Sequence, residues 1–254
     1  LKEGNQRFVN NLKANRNLLQ QVNETSAGQF PFATILSCID SRVSAELVFD
    51  QGLGDIFSIR IAGNILNEDI MGSMEFATKI AGTKVLVVLG HTKCGAITGA
   101  CNHVEMGNLT TLLNKIQPAI LNEKITTENR DGSNADFVKN VTEINVHLTL
   151  ERIRKESPII TELEQQGHIK IIGALYEVET GKVTFLIDNG ETDPKSWEQI
   201  KFVGDKGEKG VFLIIDGEVY LIFLEQKDSC DLNTALLQHL DGTPLTVDEY
   251  DRIH

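Results

Sequence analysis

The stretch KVLVVLGHTKCG, residues 84–95, decides the fold. Lys84 to Leu89 is apolar without alternation and is bounded by Gly82 and Gly90. A strand that is apolar on both faces is buried on both, which marks the centre of a parallel sheet. Just past its end stand His91 and Cys94, three residues apart, a spacing that sets both on one side of a turn entering a helix. Upstream the pattern repeats, with Ala33 to Leu36 reading as a buried strand that runs into CIDSRV, residues 38–43. Between the two, Ser44 N-caps a short helix through Phe49, with Glu46 in its first turn. Asp55 to Ile61 is a further strand, closed by Ala62-Gly63-Asn64. Met71, Met74, Ala77 and Ile80 repeat at helical spacing and predict a helix over 69–81.

Outside this core, Leu1 to about Leu19 reads as one or two amphipathic helices, and Gly28 to Pro31 breaks the pattern. Downstream, 135–155 reads as one long helix with Val138, Val141, Ile144 and Leu148 on a shared face. Ile169–Leu175 and Val183–Ile187 form an antiparallel pair around Thr180-Gly181. The alternation of strand and helix predicts an α/β fold, a mostly parallel central sheet flanked by helices. After Asn189-Gly190 the character changes. Val211 to Leu224, with Asp216-Gly217 suited to a type I′ turn, predicts an antiparallel hairpin in a C-terminal extension. The expected organisation is a catalytic domain over 1–190 and an extension over 191–254, packed on the same domain or on a partner subunit.

Composition removes several classes of function. With 24 basic and 36 acidic residues the net charge is −12, and no basic stripe is present, so nucleic acid is excluded as a partner. The apolar runs are too short to span a bilayer, and no signal-peptide pattern opens the sequence. Four cysteines in 254 residues are no disulfide framework, which favours a reducing, cytoplasmic setting. Cys101 reads as core and Cys230 as incidental in a polar tail.

Ligands of α/β sheets gather beyond the carboxyl ends of the strands, and both motifs lie at that edge. Cys38, His91 and Cys94 together offer two thiols and an imidazole, a set that suits zinc. Three protein ligands with no fourth in reach describe an open, catalytic site, in which the metal lowers the pKa of a bound water to about 7. Asp40 and Arg42 alternate with Cys38 and point to the same side of an extended segment. Their charge-assisted pair leaves Asp40 two roles: accepting a hydrogen bond from metal-bound hydroxide, or turning onto the metal and closing the site. Arg42 decides between them. Gly95 adds a backbone N–H at a helix start, suited to a small anion.

These motifs resemble those of the β-class carbonic anhydrases. The likeness runs from Gly4-Asn5-Gln6-Arg7-Phe8 to about Ile187 and includes ELVFDQGLGDIFSI (46–59), Ala62-Gly63-Asn64, GSMEFA (72–77) and YEVETGKV (176–183). It implies zinc on Cys38, His91 and Cys94, the Asp40–Arg42 pair as catalytic residues, and a homodimer or dimer of dimers with the substrate pocket at the subunit interface. Gln29 stands at the spacing where the plant-like branch places a Gln that hydrogen-bonds substrate, and Phe57 and Ala62 align with apolar pocket positions of that branch. Two residues depart from the pattern: Phe76 stands where many relatives carry Tyr, and Ile61 where many carry Asn. Neither touches the metal; both bear on pocket polarity and packing.

The resulting expectation is zinc-dependent, reversible hydration of carbon dioxide to bicarbonate. Asp40 and Arg42 are catalytic, Gln29 and the Gly95 amide bond the substrate oxygens, and Phe57, Ala62 and Phe76 form a dry wall. The alternatives are hydrolysis of carbonyl sulfide or carbon disulfide by the same chemistry, and a catalytically silent zinc scaffold. A silent scaffold has no need of Asp40 and Arg42.

Overall fold

The computed structural model describes residues 1–186 and, beyond them, the strands Gln199–Val203, Lys209–Ile215, Glu218–Phe223 and Leu236–His239. The chain forms two compact units, Leu1–Leu186 and Ile187–His254. In the first, strands β1 (Ala33–Ser37), β2 (Ile56–Arg60), β3 (Val85–His91), β4 (Lys170–Tyr176) and β5 (Val183–Leu186) build one sheet in the order β2-β1-β3-β4-β5. The first four are parallel and β5 runs antiparallel to β4, as the sequence predicts. β3 is central, and Leu86 through Leu89 are fully buried because both of its faces are covered.

One face packs Leu36, Leu86, Val88 and Ile171 under the helices 68–75 and Ala135–Glu156. The other packs Ile35, Val87, Leu89 and Ala174 against Val43, Ala45, Val48 and Phe49. The N-terminal helix Lys2–Val9 closes this second face through Gly4 and Asn5. A side chain at Gly4 would lie 1.8 Å from the Phe49 carbonyl oxygen, so only glycine allows the approach. Asn5 donates to the Val48 and Gly181 carbonyls and accepts from the Val183 amide, tying three segments together.

Asp50 completes that anchor. Buried and in the left-handed region (φ 45°), it pairs with Arg7 and Arg16, both at 2.5 Å, and accepts from the Ala14 amide. Burial alone would raise its pKa. The bonds from Arg7, Arg16 and Ala14 outweigh that and hold the carboxyl down at about 2. A lowered folded-state pKa contributes stability above the unfolded value near 3.8, which is lost as pH falls through about 2. Asp50→Asn keeps a residue tolerant of this backbone and leaves two cations without their partner. Urea unfolding at pH 7 is expected to show a loss of about 3 kcal/mol, shrinking below pH 4. An unchanged midpoint would show that the Asp50 pairs do not stabilise the fold.

Two helices differ from their sequence patterns. The segment predicted over 69–81 is α-helical over Glu68–Glu75, capped by Asn67, and then widens into a π turn over Phe76–Ile80. The wider turn shifts the helical phase, so Met71, Met74 and Ala77 are buried while Ile80 is 72% exposed. The long helix spans Ala135–Glu156, but Ile144 and Leu148 are only partly buried, and Thr142, Asn145 and Thr149 lie on the buried face. The threonine hydroxyls make this possible by bonding back to the Val138 and Asn145 carbonyls of their own helix. Among the described residues no helix is long and apolar enough to cross a membrane.

In the second unit, the strands Gln199–Val203 (β6), Lys209–Ile215 (β7), Glu218–Phe223 (β8) and Leu236–His239 (β9) form an antiparallel sheet in the order β8-β7-β6-β9. β7 and β8 pair with Ile215 opposite Glu218, the register of the predicted hairpin. The type I′ turn at Asp216-Gly217 and Cys230 lie outside the described residues.

Candidate metal centre

Parallel register aligns the carboxyl ends of β1 and β3, with Ser37 opposite Leu89. Cys38 therefore leaves the sheet beside His91, the last residue of β3, and Cys94 follows as the N-cap of the short helix Gly95–Cys101. The Cys38 and Cys94 Sγ atoms are 3.9 Å apart, and the ligand atoms of Cys38, His91 and Cys94 all lie within 4.8 Å of one another. Two sulfurs bound tetrahedrally to zinc at about 2.3 Å would lie about 3.8 Å apart. All three residues are buried.

The imidazole is oriented from behind. His91 Nδ1 lies 2.9 Å from the Thr92 carbonyl oxygen and donates to it, which leaves Nε2 as the acceptor. That Nε2 is buried and has no hydrogen-bond partner. An orphaned acceptor beside two thiols fits a metal ion, since a buried polar atom without a partner is otherwise costly. The thiols differ. A hydrogen bond from Cys94, against the opposing effect of burial and with help from the Gly63 amide, holds the Cys38 thiol well below the ordinary thiol range. Cys94, donating to Cys38 and itself buried, is pushed the other way.

Asp40 and Arg42 form the fork that their spacing predicts. Asp40 Oδ1 accepts from the Arg42 amide (3.0 Å) and Nε (2.9 Å), and Oδ2 accepts from Nη2 (2.7 Å). Arg42 side-chain bonds come first in holding the Asp40 carboxyl well below the usual carboxylate range. Asp40 Oδ2 is also 4.0 Å from His91 Nε2, so the restrained carboxylate stands at the rim of the ligand set. Arg42 Nη2 reaches on to the Lys93 carbonyl (3.2 Å), linking the loops that follow β1 and β3.

Three supports were not read from the sequence. Arg60, at the end of β2 and opposite Ser37, donates to the Cys38 and Asp40 carbonyls (3.0 and 2.7 Å). The Gly63 amide donates to Cys38 Sγ at 3.3 Å. The Thr92 carbonyl orients His91. Each acts through a backbone group, which residue type alone does not reveal; the register of Arg60 against β1 is the one usable signal.

The expected pocket residues are more dispersed. Gly95 is exposed, and a side chain there would meet nothing within 4 Å, so its surroundings are open. Ala62 is half-buried at the head of the 3₁₀ turn Ala62–Asn64. Phe57 and Phe76 meet edge to face, ring centroids 6.3 Å apart, and line a groove whose other walls include the carboxylates Glu68 and Asp69 and the hydroxyl of Ser73. None of Cys38, Asp40, Arg42, His91 or Cys94 lines that groove. Gln29 is exposed, next to Phe30 at 90% exposure. Cys101 is buried in the core, where desolvation pushes its thiol up to about 11.

The family model described as carbonic anhydrase matches residues 33–183. Carbonic anhydrase 2 of Mycobacterium tuberculosis is 35% identical over 190 residues, covering 72% of this chain and 87% of the relative. The carbonic anhydrase of Mycolicibacterium smegmatis is 32% identical over 202 residues, covering 75% and 94%. The solved structure of the β-carbonic anhydrase CcaA superposes with a TM-score of 0.59 at 26% identity, over 72% of this chain and 91% of that one.

Proposed function

Since the chain belongs to the carbonic anhydrase family, in its β class, and is thereby a carbonate dehydratase, we propose that it interconverts carbon dioxide and bicarbonate with zinc held by Cys38, His91 and Cys94. The observation that carries the metal assignment is the buried, unpartnered His91 Nε2 beside two thiols 3.9 Å apart. Zinc there would supply a water acidic enough to ionise near pH 7.

The chain's own groups do the rest. Asp40 accepts a hydrogen bond from the reacting water and aims its lone pair at the carbon. Arg42 holds Asp40 in that position through its fork and keeps it from closing on the ligand set. Arg60 fixes the backbone of Cys38 and Asp40. The Gly95 amide and Gln29 offer hydrogen bonds to the substrate oxygens. Phe57, Ala62 and Phe76 supply a dry wall for an apolar molecule, and buffer carries off the proton.

Within one chain the Phe57–Phe76 groove has none of the ligand residues in its lining, and Gln29 is exposed. That supports a homodimer or dimer of dimers in which one copy offers these side chains to the site of the next, with Gln29 acting as in the plant-like branch. Stopped-flow turnover of carbon dioxide and of carbonyl sulfide, measured on one preparation, tests the reaction. Carbon dioxide is expected to be the far faster substrate. Faster carbonyl sulfide turnover would favour hydrolysis, and no turnover of either would favour a silent scaffold.

A further inference from the structure

The helix Ala135–Glu156 turns polar residues toward the core, and one of them reaches off the helix to the metal centre. Asn145 is 5% exposed, and its Nδ2 donates to the Gly63 carbonyl at 3.0 Å across 82 residues of sequence. The amide of the same glycine donates to Cys38 Sγ at 3.3 Å. Thr142 and Thr149, its neighbours on that face, satisfy themselves on carbonyls of their own helix. A buried carboxamide is costly unless its bonds are made, so its place here is explained by what it holds.

What it holds is a soft element. Gly63 lies in the left-handed region (φ 67°, ψ 17°) within the Ala62–Asn64 turn, where glycine is at ease but unrestrained by any side chain. A Cβ there would meet Ile116 Cδ1 at 2.9 Å and Ala96 Cβ at 3.3 Å. Ala96 sits two residues after Cys94 on the helix Gly95–Cys101. The turn is thus pressed against the element that carries one thiol while its amide bonds the other, and Asn145 fixes its remaining free group.

We propose that Asn145 is a positioning residue for the metal centre: by holding the Gly63 carbonyl it keeps the Gly63 N–H on the Cys38 sulfur. An N–H donated to a thiolate withdraws charge from it, so the sulfur gives less to the metal and its direction is fixed. Groups at one remove from the ligands typically change metal affinity or activity about 10–100-fold when lost. The proposal rests on the zinc assignment above.

Cobalt(II) in place of zinc reads the sulfur directly through its thiolate-to-metal charge-transfer absorption. In Asn145→Leu this band is expected to move to longer wavelength because the sulfur gives more charge to the metal, while cobalt affinity in chelator competition falls about 10–100-fold because the sulfur loses its fixed direction. Thr142→Val, on the same buried face but bonded to the Val138 carbonyl, is expected to keep the parental band and affinity. Asn145→Ala removes the same bond without adding bulk and is expected to move the band in the same direction, so it carries the test should Asn145→Leu not fold. A folded Asn145→Leu with parental band and affinity overturns the proposal, as does an equal change in Thr142→Val or a parental band in folded Asn145→Ala. A parent chain without any thiolate charge-transfer band would overturn the metal assignment itself, which keeps the two failures apart.

Discussion

Cys38→Ser is expected to leave the protein folded, without zinc, and with hydration at the buffer background. Cys38 is the ligand with the most supports: the Gly63 amide on its sulfur, Arg60 on its carbonyl, and Cys94 3.9 Å away. A serine hydroxyl does not ionise near neutral pH and cannot replace a thiolate toward a borderline-soft ion. Zinc held by four ligands is bound with about 10–16 kcal/mol, so one ligand's share is about 3–4 kcal/mol, or two to three orders of magnitude in affinity. Metal analysis after dialysis checks this. Full occupancy in Cys38→Ser beside full occupancy in the parent would contradict the ligand assignment.

Arg42→Ala is expected to separate metal binding from turnover. Both Asp40 oxygens are engaged by Arg42, and Asp40 Oδ2 is already 4.0 Å from His91 Nε2. Without the fork, the carboxylate is free to close on the ligand set in place of the reacting water. Zinc content should then stay at the parental level while hydration falls by most of its value. Asp40→Ala should also retain zinc and be slow, by about 100-fold, through loss of the group that orients the reacting water. Arg42→Lys should not restore the parent, since an ammonium is a point donor and cannot form the two-pronged bond. Parental turnover in Arg42→Ala would show that Asp40 needs no restraint.

The parallel sheet was legible because its central strands are buried on both faces and so carry unbroken apolar runs, as Leu86 to Leu89 shows. Cys38, His91, Cys94, Asp40 and Arg42 could be singled out because their chemistry is written in side chains placed at strand ends. What escaped the sequence depends on backbone groups or on phase. The π turn at Phe76–Ile80 breaks the helical period and sends Ile80 outward, although its spacing from Met74 and Ala77 is that of a buried stripe. On Ala135–Glu156 apolar spacing pointed to Ile144 and Leu148, whereas Thr142, Asn145 and Thr149 take the inner face by satisfying their own polar atoms. Arg60 and Gly63 serve the site through carbonyl and amide partners, and no residue pattern announces those. Phe57 and Phe76 meet each other in a groove that none of the ligand residues of the same chain lines, an arrangement that residue type and spacing do not reveal.

The most direct test of zinc-dependent hydration at Cys38, His91 and Cys94 is a stopped-flow carbon dioxide assay on the purified chain. It is run as isolated, after removal of metal by a chelator, and after zinc is returned. Activity is expected in the first state, background in the second, and recovery with one zinc per chain in the third. Undiminished hydration by the metal-free protein would contradict zinc dependence.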